Sequence, residues 1–127
     1  MNTAQIEQTL LAHIQKWEHF NTVVLARENR NFKPPKSLWG RVTILGVVNT
    51  ICSVSDEPCI LQQGTLVIQL FAPENVGTAE IKHKADSLAN HLKAKQFGKL
   101  ETLAPSVINV GFNEFYQINV SVPWRYY

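Results

Sequence analysis

Apolar residues at Ile6, Leu10, Ile14, Trp17 and Phe20 recur at steps of 4, 4, 3 and 3. That spacing keeps them on one stripe and predicts an amphipathic helix over residues 2–20, with Asn2 and Gln5 placed to cap its start. Leu11 falls off the stripe, exposed or against a partner, and His13 sits on its apolar edge as a half-buried, hydrogen-bonded histidine. The period then changes to two. Residues 22–27 and 38–45 read as strands, with Leu38, Val42 and Ile44 alternating with Trp39, Arg41, Thr43 and Leu45. Both faces of residues 22–27 are apolar, which fits a strand covered on both sides or one at an interface. Between these strands lie Phe32 and Pro34-Pro35. The two prolines fix their own φ and bias the preceding backbone to extended forms, so this segment reads as a stiff crossing pegged by Phe32 and Trp39.

Residues 47–64 are rich in turn formers, and Asp56-Glu57-Pro58 falls near the middle. They read as a long hairpin or excursion, placed around 46–63, with that triplet at the tip. Residues 65–71 form the clearest alternation, stopped by Ala72-Pro73 and followed by a turn at 75–77. A second stripe, Ile81, Ala85, Leu88 and Leu92 with Ala89 beside it, predicts a helix over 78–96 capped at Thr78 and ended by Gly98. Its flanking lysines cover apolar surface with their stems and keep their charge wet; His83 and His91 read as surface residues. Two short strands follow at 99–103 and 106–112. A last strand at 115–122 turns Tyr116, Ile118, Val120 and Val122 inward and the uncharged row Gln117, Asn119 and Ser121 outward. Pro123-Trp124 ends it, leaving an aromatic tail that either packs back on the core or meets a neighbouring chain.

Helix, strands, helix, strands, with one apolar stripe per helix, predicts an α+β fold: two helices packed on one face of a mixed, mostly antiparallel sheet. At 127 residues the chain is one domain, 1–127, large enough to bury a core unaided. Net charge is +2, with pI about 8.6, too weak and too dispersed to indicate sequence-specific nucleic-acid binding. No apolar run is long enough to span a membrane, and the start lacks a signal peptide, so synthesis in the cytoplasm is expected. Cys52 and Cys59 are expected to be reduced thiols there. No metal site, cofactor motif or catalytic constellation is recognisable, and the expectation is that the chain is not an enzyme.

Three segments together resemble bacteriophage tail-terminator-like proteins. They are Glu28-Asn29 with Phe32 and Pro34-Pro35 before Trp39-Gly40-Arg41-Val42; Gly64 leading into residues 66–73 and closed by Gly77; and residues 116–122 followed by Pro123-Trp124. The resemblance implies a structural protein encoded by a tailed phage or prophage and located in the virion tail after assembly in the host cytoplasm. It implies a ring, commonly of six subunits, that caps the tail tube, stops its polymerisation and contributes to head–tail joining. Its partners would be the major tail-tube protein, neck and head-completion proteins, and further copies of itself. On that reading, loop length and the aromatic end nominate an interface of Arg41, Asn49, Ser53, Asp56, Glu57, Gln62, Trp124, Arg125, Tyr126 and Tyr127. Two alternatives remain: another neck or head–tail completion protein, and a small dimeric ligand-binding regulatory domain, which would need a concave apolar pocket.

Overall fold

A computed structural model of the chain describes residues 3–21, 23–27, 37–51, 60–73, 78–112 and 116–126. The expected cap at Asn2, the Pro34-Pro35 crossing, the Asp56-Glu57-Pro58 tip, both cysteines and the turn at 75–77 lie outside the described residues. The elements are α1 (Thr3–Ile14), β1 (Val24–Arg27), β2 (Trp39–Ile51), β3 (Ile60–Ala72), α2 (Ala79–Leu92), β4 (Gln96–Phe97), β5 (Leu100–Thr102), β6 (Ser106–Phe112) and β7 (Tyr116–Tyr126). The fold is α+β. Its mixed, 7-stranded sheet runs β1-β2-β3-β7-β5-β4, with β6 also on β7. Among the described strands only β1 and β2 pair in parallel; β2-β3, β3-β7, β6-β7, β5-β7 and β4-β5 are antiparallel. The sheet curls strongly, and the helices are not clearly packed on one face as the simple layered expectation had it.

The core joins both helical stripes to alternate residues of the long strands. Ile6, Leu10, Ile14 and Trp17 meet Ile81, Leu88 and Leu92, together with Leu66, Ile68 and Leu70 of β3 and Ile118, Val120, Val122 and Trp124 of β7. Leu11 is half-buried against this cluster rather than exposed.

Three boundaries differ from the sequence expectation. The first helix stops at Ile14, because Lys16, Trp17 and Phe20 donate to carbonyls three residues back (His13, Ile14 and Trp17). Tighter turns of that kind still return Trp17 and Phe20 to the core. The second helix ends at Leu92; Lys93 is extended and Ala94 takes the left-handed φ of 48° that closes the helix. Gly98 (φ 65°) turns the β4–β5 hairpin instead. The final strand runs to Tyr126, so residues 125 and 126 are strand, not tail. Pro123 is tolerated inside it because its carbonyl accepts from Leu103 N–H (2.8 Å). In an antiparallel strand a residue's N–H and C=O point the same way, so its missing donor faces the gap between β5 and β6 and the β3 ladder loses nothing.

Buried Thr102 closes the end of α2 from outside. Its hydroxyl donates to Leu92 O (2.6 Å) and accepts from Lys95 N–H (2.8 Å). Thr102→Val keeps the shape but strands both backbone groups, and is expected to cost about 1–2 kcal/mol, read as a lower urea midpoint at unchanged m-value.

The helices are also joined by two histidines. The His13 and His91 rings stack at 4.1 Å and 7°. Each Nε2–H donates to the other's backbone carbonyl, at 2.8 and 2.7 Å. His91 is therefore half-buried, contrary to its expected surface role. Burial holds the His13 pKa below the ordinary 6.5; the hydrogen bond to His91 opposes this, and His91, Lys95 and Lys16 add to the lowering. A histidine depressed in the fold binds fewer protons folded than unfolded. Its contribution is intact above about pH 6.5 and is lost as pH falls towards the depressed value. Denaturation at pH 7.5 and 5.5 should show a drop that His13→Gln reduces.

Candidate assembly interface

Antiparallel pairing fixes which side chains share a face. On the side of the sheet away from the core, Trp39 of β2 stacks on Phe71 of β3 (4.4 Å, 22°). The Arg41 guanidinium carbon lies 5.9 Å from the Trp39 ring centre, within cation–π reach. Arg41 is exposed, in line with Ala26, Gln69 and Asn119 across neighbouring strands. Gln117, Asn119 and Ser121 are half-buried there, and Gln117 Nε2 donates to Asn119 Oδ1 (2.8 Å).

The second feature is an arm. β2 and β3 stay paired to Ile51↔Ile60, well past the segment that β1 covers, with a bulge between Leu45 and Val48. A bulge bends and twists its strand. Gly64 faces this bulge by register, and the Trp124 indole occupies the space a side chain there would need. A Cβ on Gly64 would lie 2.7 Å from Trp124 Cε2 and 3.1 Å from Leu45 O. Beyond the bulge the arm carries wet aliphatic groups: Ile51 is 66% exposed and Ile60 53%.

The nominated residues divide accordingly. Asn49, Gln62 and Tyr126 share one row at the root of the arm, and Arg125 lies beside them against Gln63. Arg125 pairs with Glu101 of β5. Asn49 is exposed, whereas Gln62, Arg125 and Tyr126 are half-buried. Among the described residues, the buried Oε1 of Gln62 has no hydrogen-bond partner. Trp124 is 1% exposed and belongs to the chain's own core. Of the two readings of the aromatic end, core packing holds for Trp124. Arg41 stands apart, further down β2. Ser53, Asp56, Glu57 and Tyr127 lie outside the described residues.

Sequence reasoning missed the exposed aliphatics. Besides Val24, Leu45, Ile51 and Ile60, these are Val107, Ile108 and Val110 of β6, at 43, 51 and 53%. The available signal was β6 itself, seven residues with three β-branched aliphatics and no charge. One open depression of about 650 Å³ runs along α2 beside the turns after α1. Lys16, Glu18, His83, Asp86 and Lys95 line it, a charged wall unlike the mostly apolar lining of small-molecule sites. Among the described residues no His, Cys, Asp or Glu cluster could hold a metal ion, and no helix is long and apolar enough to cross a membrane.

These features define a class: an α+β protein whose distinctive surfaces are strand edges and an apolar arm. Residues 5–124 match the family described as Phage tail terminator protein, and the chain belongs to that family. It is thus a phage tail structural protein, of a structural rather than an enzymatic family. Twelve solved chains match it. One superposes with a TM-score of 0.66, covering 94% of this chain and 95% of its own, at 16% identity, a likeness of fold alone. No curated protein matches significantly.

Proposed function

We propose that the protein caps the growing tail tube, ends its polymerisation and contributes to head–tail joining. The observation that carries this is the family match across residues 5–124. On this reading it acts as a ring, with six copies as the expected number, seated on the major tail-tube protein and meeting neck or head-completion proteins above. A ring interface joins two different patches of one chain, and closure stops growth. The exposed positions of Arg41 on the sheet and of Asn49 at the root of the arm support this reading, since both leave a polar side chain open to a neighbouring subunit.

Electron microscopy of particles from the encoding phage or prophage with this gene disrupted tests the proposal. Overlong, headless tails are expected. Tails of wild-type length would reject termination and favour another role in the neck.

A further inference from the structure

We infer that successive copies join by antiparallel pairing of β6 in one copy with the β2 side of the arm in the next, so that one sheet continues from subunit to subunit. This rests on the ring reading above and names its contact surface. The observation behind it is a pair of strand edges that no described strand covers. Among the described strands, β6 pairs only with β7. Among the described strands, β2 beyond Val42 pairs only with β3, since the β1 ladder ends at Arg27↔Val42.

Protein edges are normally blunted by charges, prolines or bulges. Each of these edges has a bulge, at Val110 in β6 and between Leu45 and Val48 in β2. Each bulge leaves a regular stretch of equal length, residues 106–109 and 48–51. Those stretches, Ser-Val-Ile-Asn and Val-Asn-Thr-Ile, contain no charge and no proline. Val107 and Ile108 on one and Ile51 on the other are 43, 51 and 66% exposed.

A second copy fits both edges better than an unrelated peptide does, for two reasons. The edges lie at opposite ends of the run β2-β3-β7-β6, so each copy offers one and accepts the other, the head-to-tail arrangement a ring needs. Each step across that run is antiparallel, so β6 runs opposite to β2. In a sheet that continues between copies they therefore meet antiparallel, the more favourable pairing. The contact is small. Four residues against four falls well below the roughly 20–30 residues a side of a stable interface. It therefore holds when a ring closes on the tube end, and dilute protein should be monomeric.

The test uses a chain carrying Cys52→Ser and Cys59→Ser, with Asn49→Cys and Ile108→Cys added singly and together, in tails from the encoding phage treated with a short bismaleimide. The expected result is a ladder of cross-linked multimers that requires both new cysteines. Tails that carry the protein and give no such ladder, or equal cross-linking with one cysteine, would overturn the pairing while leaving termination intact. Ile108→Lys supplies a second readout. It should leave the melting temperature of the purified protein within a few degrees of wild type yet give overlong tails; tails of normal length would overturn the pairing. Wild-type tail length on gene disruption would instead remove the terminator reading, and this inference with it.

Discussion

Trp124→Ala should lower the unfolding free energy by about 3–5 kcal/mol, the range for truncating a buried aromatic. Trp124 is 1% exposed within the main core cluster. It also fastens β7 between Gly64 of β3 and Thr102 of β5, its Cα partners on either side. A domain of this size holds on the order of 5–15 kcal/mol in total, so the variant should melt about 10 °C or more lower. Among the described residues the Trp124 N–H has no hydrogen-bond partner. The loss is therefore one of packing, and Trp124→Phe should cost clearly less. Urea denaturation of the three proteins measures this; equal losses for Phe and Ala would point to the N–H instead. Because the residue is buried within its own chain, any assembly defect should track the amount of folded protein.

Gly64→Val is expected to cost about 3 kcal/mol, the upper end of typical overpacking. Its new Cβ would sit 2.7 Å from Trp124 Cε2 and 3.1 Å from Leu45 O. The indole and the β2 backbone would both have to move, at the point where the arm leaves the body. The two sites should therefore be strongly coupled. In a Trp124→Leu background, which vacates the space over Gly64, the added cost of valine should fall below about 1 kcal/mol. The four proteins of this cycle, each unfolded in urea, give the coupling directly. An unchanged valine cost in both backgrounds would show that the indole is not what excludes a side chain here.

Both positions illustrate how far the chain could be read in advance. Periodicity exposes whatever is decided within a few residues. The stripes Ile6-Leu10-Ile14 and Ile81-Ala85-Leu88-Leu92 are buried as their spacing requires, as are Ile118, Val120 and Val122 of the last strand. Element ends were less legible, because distant groups set them. Thr102 closes α2 at Leu92, and the β3 and β5 ladders carry β7 past Pro123 to Tyr126. The His13–His91 stack depends on two helices meeting 78 residues apart in sequence, which no local window contains.

The nominated interface shows the same division. Loop length pointed to the region of Asn49 and Gln62, and pairing places these two side by side with Tyr126. Aromatic content alone nominated Trp124, which the fold buries. The aliphatic edge of β6 read simply as a strand, since exposure depends on which neighbours a strand lacks. By itself, then, the sequence determined the two helical stripes, the alternation of the long strands, the α+β class and the likeness to the tail-terminator family, because side-chain periodicity and motif order are properties of the chain. Only the tertiary structure decided where the elements stop, that Trp124 lies inside, and which edges no described strand covers, because those depend on hydrogen bonds and packing between residues far apart along it.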